Sequence, residues 1–363
     1  MSVDILITGT GAFAGRILLD LAATSTRPLR VAIAGRNADR LDWLRTAATA
    51  RARIFNAPVE VESHRIDLLA DGACARILET TRPRIVVQAA STQTSAVIAQ
   101  SGNRWTQIVA EGGLSATAVF QALISTRMAA SIAEDGRGQS FINCCFPDVV
   151  NGMIEAMGYP VLCGTGNVAI LSNMFEGEAR RSGLGDGRLR VLAHYQNLKP
   201  WRLRATERSA YPPPRVFLGE EEVTDVFAAF ADTRLTTEPA IEISGASGVT
   251  LMQALASGKN WLGHVPAPLG LPGGYPVRLV AGRMELDLPA SVSPDAASAW
   301  NGSFERHSGL TIEGDRAVFH GRLAELLAAE DFAFAEGFDV AALEDVCRDM
   351  EALRQRLESS PAR

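Results

Sequence analysis

The stretch Ile5-Leu6-Ile7-Thr8-Gly9-Thr10-Gly11-Ala12-Phe13-Ala14-Gly15 places a short apolar run, a glycine turn and the opening of a helix in immediate succession. The turn fits the pattern G-x-G-x-x-A. Gly9 permits a tight turn, Gly11 lets a pyrophosphate approach the backbone, and Ala14 keeps helix and strand close, while the helix start offers free N–H donors. Thr10, Ala12 and Phe13 complete the stretch expected to line a bound dinucleotide. A glycine turn alone can be purely structural. Its position in the first strand-to-helix turn of a repeating strand-helix pattern is what makes it a binding signal.

That pattern continues outward. Strands are expected at Leu29–Ala34, Val59–Ile66, Arg84–Ala89 and Ser140–Cys144, with helices at Ala38–Ala50 and Ala70–Thr80. Helical periodicity then runs from Thr92 to Ala133, broken near Gly102 and at Gly112-Gly113. A helix at Val149–Met157, a strand at Val161–Gly164 and a long helix at Asn167–Arg181 follow. After Gly185 the pattern changes to short strands: Leu189–Tyr195, Arg215–Leu218 with a hairpin turn at Gly219, Arg278–Leu286, and a hairpin at Leu310–His320. The Pro- and Gly-rich Pro266–Pro276 reads as a loop, long enough to be a substrate lid. A final helix, Val340–Leu357, carries Leu343, Val346, Met350, Leu353 and Leu357 on one face, to pack on its own domain or meet a second copy of the chain.

The fold class expected is therefore α/β, a Rossmann-type doubly wound parallel sheet over residues 1–165. A second α+β domain with a mostly antiparallel sheet covers 166–363.

Where an NAD site wants a carboxylate for the ribose 2′-hydroxyl, after the second strand, the chain has Ala34-Gly35-Arg36-Asn37. Arg36 can pair with a 2′-phosphate, with Arg40 and Arg65 in support, so NADP(H) is the expected cofactor. Asn37 belongs to the same turn. Asp67 is placed for the adenine edge, and Ala89, Ala90 and Ser91 for the nicotinamide half. Gly9–Gly15 together with Ala34–Leu41 resembles the NADP-binding domain of the saccharopine dehydrogenase-like oxidoreductases. That resemblance covers roughly the first 100 residues and implies a pyridine-nucleotide oxidoreductase without naming a substrate.

Asn143-Cys144-Cys145-Phe146-Pro147-Asp148-Val149-Val150-Asn151 ends the fifth strand at the sheet's carboxyl edge, where open α/β folds bind ligands. Asn143, Cys145, Asp148 and Asn151 are its candidate substrate contacts. Continued through Gly164-Thr165-Gly166-Asn167, the stretch is similar to the lactate and malate dehydrogenases and, more loosely, the opine dehydrogenases. In those families a strand-end Asn contacts substrate, and a His after the next long helix is the acid/base. His194 falls at that place, although Tyr195-Gln196 replaces the usual Gly-Asp and Phe146 precedes Pro147.

Delivery of a proton beside a hydride suits histidine. Of five, His64, His307 and His320 read as structural; His194 and then His264 are the candidate acids. The 35 cationic residues include only two lysines, Lys199 and Lys259, in the comparable settings Lys-Pro-Trp and Lys-Asn-Trp. Lysine can lose its proton where arginine cannot, so both are candidate catalytic groups. Arg202 and Arg204 near Lys199 suit a small carboxylated carbonyl or imine substrate, such as the imine of an amino acid with a keto acid. Cys145-Phe146-Pro147 also resembles the C-Y-P segment around the nucleophilic cysteine of N-acetylglutamyl-phosphate reductase, which makes a Cys145-dependent semialdehyde or acyl-phosphate reductase the rival enzyme. A non-catalytic NADP(H)-sensing regulator is the rival from another class.

The net charge of −6 disfavours nucleic acid and anionic membranes as main partners. A small-molecule substrate is expected, and a second copy of the chain is a candidate partner. Five scattered cysteines without C-x-x-C indicate neither a disulfide framework nor a metal site. With no signal-peptide pattern and no bilayer-length apolar run, the expected location is the cytoplasm.

Overall fold

The computed structural model describes residues 2–93, 97, 100–184, 187–236 and 240–362. The chain opens with β1 (Ile5–Thr8), α1 (Ala12–Thr24), β2 (Leu29–Gly35), α2 (Ala38–Ile54), β3 (Val59–Arg65), α3 (Ala73–Thr81) and β4 (Ile85–Gln88). After α4 (Arg104–Gly112) and α5 (Ala118–Asp135) come β5 (Ser140–Asn143) and α6 (Pro147–Ala156). The five strands form one parallel sheet in the order β3-β2-β1-β4-β5. The reversal of direction in strand order lies between β1 and β4, where such sheets open a crevice at their carboxyl ends. Val161–Gly164 forms no full strand; Cys163 makes a single parallel bridge to Ile142 at the sheet edge. The expected helical pattern from Thr92 starts only at Arg104, and residues 94–96, 98 and 99 within it lie outside the described residues.

Alternation along β1 sorts the core. Ile5 and Ile7 join one buried cluster with Val31 and Ile33 of β2 beneath α1 and α2. Leu6 faces the other way, with Ala32 and Val86, toward α3, α4 and α5.

Beyond the sheet run α7 (Val168–Ser182), β6 (Leu189–Leu192), β7 (Arg215–Leu218) and β8 (Glu221–Glu222); Gly185 lies outside the described residues. Then come α8 (Val226–Ala229), α9 (Ile241–Ser247), α10 (Val249–Ser257), β9 (Trp261–Pro266), β10 (Gly274–Val280) and β11 (Arg283–Leu286). The chain finishes with α11 (Pro294–Ser308), β12 (Leu310–Glu313), β13 (Arg316–Phe319), α12 (Gly321–Ala329), β14 (Phe338–Asp339) and α13 (Leu343–Glu358). These later strands make three antiparallel sheets of three strands each, so the α/β class with antiparallel additions holds.

Three expectations need correction. Pro266–Pro276 is no lid: Pro266 pairs with Gly274 and His264 with Pro276 in the β9–β10 hairpin, leaving a short connection that includes the turn Pro268–Gly270. Arg278–Leu286 is two strands, because Ala281 and Gly282 both take positive φ and reverse the chain. Leu189–Tyr195 stops at Leu192, since His194 caps a 3₁₀ helix over Tyr195–Arg202.

The apolar stripe of α13 is buried within the chain against α4 and α5, across from its own half and unavailable to a second copy. Met350 is fully buried there. Met350→Ala is expected to lower unfolding free energy by about 3 kcal/mol in urea titrations, with the sedimentation coefficient of the folded protein unchanged. A shift in oligomeric state without loss of stability would return this face to an intermolecular role.

Candidate active site

A cavity of about 230 Å³ lies over the carboxyl ends of β1, β2 and β4, lined by Gly9, Thr10, Gly11, Arg36, Asn37, Asp67, Ala89, Ala90 and Ser91 among others. Gly9 sits at φ +105°, and a Cβ there would stand 2.7 Å from the Ala89 carbonyl oxygen. Only glycine makes that turn. At Gly11 an added Cβ would meet nothing within 4 Å, so the space above it is open. Gly11 also caps α1 without a side-chain hydrogen bond, which leaves first-turn N–H groups free for an anion. Ala12 is exposed and Phe13 half-buried, while Ala14 is buried beneath α1. These features fit a dinucleotide.

Asn37 accepts from the Arg40 N–H at 2.9 Å and caps α2, and Arg40 Nε donates to the Thr10 carbonyl at 3.3 Å. Arg36 is exposed at the rim. Asp67 accepts from the Leu69 N–H at 3.1 Å, which fixes its turn. Gln88 donates to the Ala90 carbonyl at 2.7 Å and so shapes the strand end.

From this rim the structure leads inward. Cys145 Sγ donates to the Ala90 carbonyl at 3.3 Å, Phe146 follows at φ +46°, and its ring meets Tyr195 edge-on with centroids 5.3 Å apart. Tyr195 in turn lies 4.4 Å, centroid to centroid, from His194. Behind them buried polar side chains gather in one cluster, the polar chamber of the fold. Its groups are Asp148 at the start of α6, His194 and Tyr195 after β6, Tyr275 on β10, and Asn301 and Glu305 on α11.

His194 is fully buried, and its Nδ1 accepts from the Gln196 N–H at 3.3 Å. The neutral ring therefore carries its proton on Nε2, which has no partner and stands 3.9 Å from Glu305 Oε1. Burial lowers His194 to about 3 and so keeps it neutral. Burial, reinforced by the nearby Asp148, pushes Glu305 well above its ordinary carboxylate value and so favours its protonated form. Asp148 accepts from the Asn167 amide with one oxygen, leaves the other unpaired, and is raised by burial to about 6. The Tyr275 hydroxyl lies near Asn301 and Ser298 but completes no hydrogen bond.

The remaining expected residues go elsewhere. Asn143 accepts from Ser125 Oγ and the Cys145 N–H, each at 3.0 Å, and donates to the Cys145 carbonyl at 3.1 Å and to Asn151 Oδ1 at 2.9 Å. Asn151 then donates to the Ala267 carbonyl at 3.0 Å. Both carboxamides are engaged by the protein itself, which fixes the strand end and the start of α6. His264 accepts from the Val191 N–H at 2.9 Å and is lowered by burial to about 3, which makes it a clamp between β9 and β6. Lys199 is exposed, with Nζ 4.9 Å over the Tyr211 ring. Lys259 is exposed just past α10, which packs at the amino end of β4, where Arg84 reaches the Ala256 carbonyl at 2.9 Å. That is the far end of the sheet from the groove, so the catalytic assignment of Lys259 fails. Cys145 lies in a setting that disfavours the thiolate: burial pushes its thiol up, and no cation is among the groups that lower it.

Glu305, Tyr275 and Asn301 escape a sequence reading because their helix and strand look ordinary. One signal was present: Ala297, Asn301, Phe304, Glu305 and Ser308 share the buried stripe of α11, and two of them are strongly polar. Among the described residues, no group of His, Cys, Asp and Glu is arranged to hold a metal ion, and no helix is long and apolar enough to cross a membrane.

No protein-family model matches the chain, and no curated protein is significantly similar in sequence. Solved structures do match over nearly the whole length. The lactate dehydrogenase of Cryptosporidium parvum, complexed with lactic acid and nicotinamide adenine dinucleotide, is 13% identical with TM-score 0.51 over 99% of each chain. The malate dehydrogenase of Salinibacter ruber is 12% identical with TM-score 0.53, covering 97% of this chain and 99% of its own. The lactate dehydrogenase of Eimeria maxima with NADH and oxamate is 12% identical with TM-score 0.55, over 92% and 98%. At such identities the likeness is one of fold. It supports a dehydrogenase fold and not the narrower saccharopine- or opine-type resemblance.

The unfolded chain loses the Asp148 proton near the ordinary aspartate range, whereas the folded chain keeps it to about pH 6. The charge at Asp148 therefore has no effect on stability below that window and destabilises as pH rises through it. Asp148→Asn is expected to unfold at higher urea than wild type at pH ~8, by up to about 3 kcal/mol, with the gain vanishing near pH ~4. Equal urea midpoints at both pH values would contradict the raised carboxyl.

Proposed function

We propose that this chain is an oxidoreductase that uses a nicotinamide dinucleotide, NADP(H) in preference to NAD(H), to reduce or oxidise a small-molecule substrate. In this reading residues 1–165 hold the cofactor and 166–363 supply most of the substrate site. The observation that carries it is continuity: the glycine-turn groove and the buried proton-holding chamber meet through Cys145, Phe146 and Tyr195 at the sheet's carboxyl edge.

Gly9, Gly11 and the start of α1 would hold the pyrophosphate, Arg36 the 2′-phosphate, and Ala89 to Ser91 would border the nicotinamide half. When bound, the dinucleotide supplies hydride chemistry. The protein's own part is proton management. His194 was the expected acid, yet its ring stays neutral and presents Nε2–H toward Glu305. Glu305, whose protonated form burial favours, is the chamber group that would give the proton, and His194 is its positioning partner. Tyr195 closes the chamber toward the groove and keeps water from the exchange. The rival sensor reading predicts cofactor binding without turnover on any substrate.

Binding of NADPH and NADH, followed by quenching of protein fluorescence, tests the assignment. Gly11→Leu adds a side chain to open space at φ −70°, so it is expected to fold like wild type and to bind NADPH about 100-fold more weakly. Arg36→Asp is expected to reduce the NADPH-over-NADH preference about tenfold or more. Unchanged NADPH binding in Gly11→Leu would end the groove assignment; an unchanged preference in Arg36→Asp would end the NADP(H) assignment.

A further inference from the structure

A second opening lies at the other end of the parallel sheet. A cleft of about 530 Å³ is walled by Pro83, Ile85 and Leu255 and flanked by Arg82, Arg84 and Arg137. Ile85 begins β4, whereas the dinucleotide groove takes up Ala89 just past the carboxyl end of that strand. The two openings therefore stand at opposite ends of one strand. Three side chains lining the cleft are cations and none is an anion. Gly138 adds room, since a Cβ there would meet nothing within 4 Å.

The carboxylates that pair with these arginines stand outside the lining. Asp135 accepts from Arg137 Nε at 2.5 Å and from Nη2 at 2.7 Å, and Nη2 also donates to the Leu78 carbonyl at 3.1 Å in the last turn of α3. Arg84 Nη1 donates to the Ala256 carbonyl at 2.9 Å near the end of α10 and lies 3.6 Å from Asp4. Two guanidinium planes are thus fixed by part of their donors. Nη1 of Arg137 and the Nε and Nη2 of Arg84 take no share in these bonds. Arg82 is exposed, and its side chain makes no hydrogen bond or ion pair among the described residues. Its charge acts on Asp135, which places it beside Arg137.

Arg82 is also an unusual residue for its position. It caps α3 at φ +44° and ψ +57°, left-handed angles that glycine takes without strain. An arginine in that turn supplies the cleft with the one guanidinium of the three that no protein group engages. A cation entering the cleft would be repelled, and a neutral molecule would leave the free N–H groups to water. A phosphate monoester brings about two negative charges and three acceptor oxygens to guanidinium edges, while Pro83, Ile85 and Leu255 can cover its carbon body. No carboxylate, imidazole or thiol lines the cleft, so its chemistry is binding and not turnover. The net charge of −6 argues against a polymer of phosphates as the occupant.

We propose that this cleft is a second ligand site, which holds the phosphate group of a small phosphate monoester between Arg82, Arg84 and Arg137. It is separate from the dinucleotide groove and does not rest on the oxidoreductase reading.

The test titrates the full-length protein with glycerol 3-phosphate, glycerate and glycerol, followed by calorimetry and saturation-transfer NMR. Glycerol 3-phosphate is expected to bind about tenfold more tightly than glycerate, and glycerol more weakly still. Arg82→Gly removes the cation and relaxes the left-handed turn, so it is expected to unfold at the wild-type urea concentration or above and to bind glycerol 3-phosphate about tenfold more weakly. Arg82→Gln is expected to show the same loss of binding. Gly11→Leu, which fills the dinucleotide groove, is expected to bind glycerol 3-phosphate like wild type.

Wild-type affinity for glycerol 3-phosphate in both Arg82 variants would overturn the inference. Loss of binding in Gly11→Leu would do so as well, by placing the phosphate in the dinucleotide groove. Glycerate bound as tightly as glycerol 3-phosphate, or no binding of any probe, would also count against it decisively.

Discussion

The carboxamide of Asn143 organises the site. It ends β5 with no exposure, and its four hydrogen bonds tie α5 through Ser125, the turn into α6 through Cys145, and Asn151 on α6 itself. Asn151 extends the tie to Ala267, which heads the connection between β9 and β10. Asp148 sits on the helix so anchored, and Tyr275 on the strand that this connection delivers. Phe146, Asn167 and Ala267 take left-handed φ angles along the same path, and each flanks one of these amide bonds. Non-glycine residues hold such angles at a cost, and they keep them here because the surrounding hydrogen bonds over-determine the chain path. An Asn→Leu change at position 143 would leave several buried partners unpaired at once.

Around that anchor the protein has placed ionisable groups in a low-dielectric space and let burial set their protonation. Burial acts in opposite directions on the two kinds of group: it keeps His194 neutral and favours the protonated form of Glu305. The result is a chamber able to exchange a proton yet carrying little net charge, next to a groove with free helix N–H groups. Stability is given up for this arrangement. A hydrophobic filling of the same space would leave no orphaned oxygens, and buried polar groups without partners are uncommon in proteins.

The first half of the fold was legible because its signals are local. A glycine turn needs only its own φ angles, and the alternating apolar residues of β1 and β2 report which face of the sheet they serve. The antiparallel half was read less well, for identifiable reasons. Pro266 and Pro276 sit inside strands where prolines usually signal loops, and Ala281 occupies a turn position that usually belongs to glycine. The chamber was the least legible part, because it is assembled from α6, β10, α11 and the segment after β6, which are brought together only by tertiary packing. His194 was found through its place after a long helix, but its complete burial, which lowers its pKa, is set by tertiary packing that no spacing reveals. The buried polar residues on α11 were the one trace left in sequence.

The central claim is that Glu305 holds a proton beside His194, in a chamber that responds to a dinucleotide bound at the Gly9–Gly11 turn. The carbon-13 carboxyl resonance of Glu305, assigned in glutamate-labelled protein by its loss in Glu305→Gln, tests it directly. The account predicts a protonated shift at neutral pH that moves on addition of NADPH in wild type and stays put in Gly11→Leu. An ionised Glu305 at neutral pH, or a resonance indifferent to saturating NADPH, would contradict it.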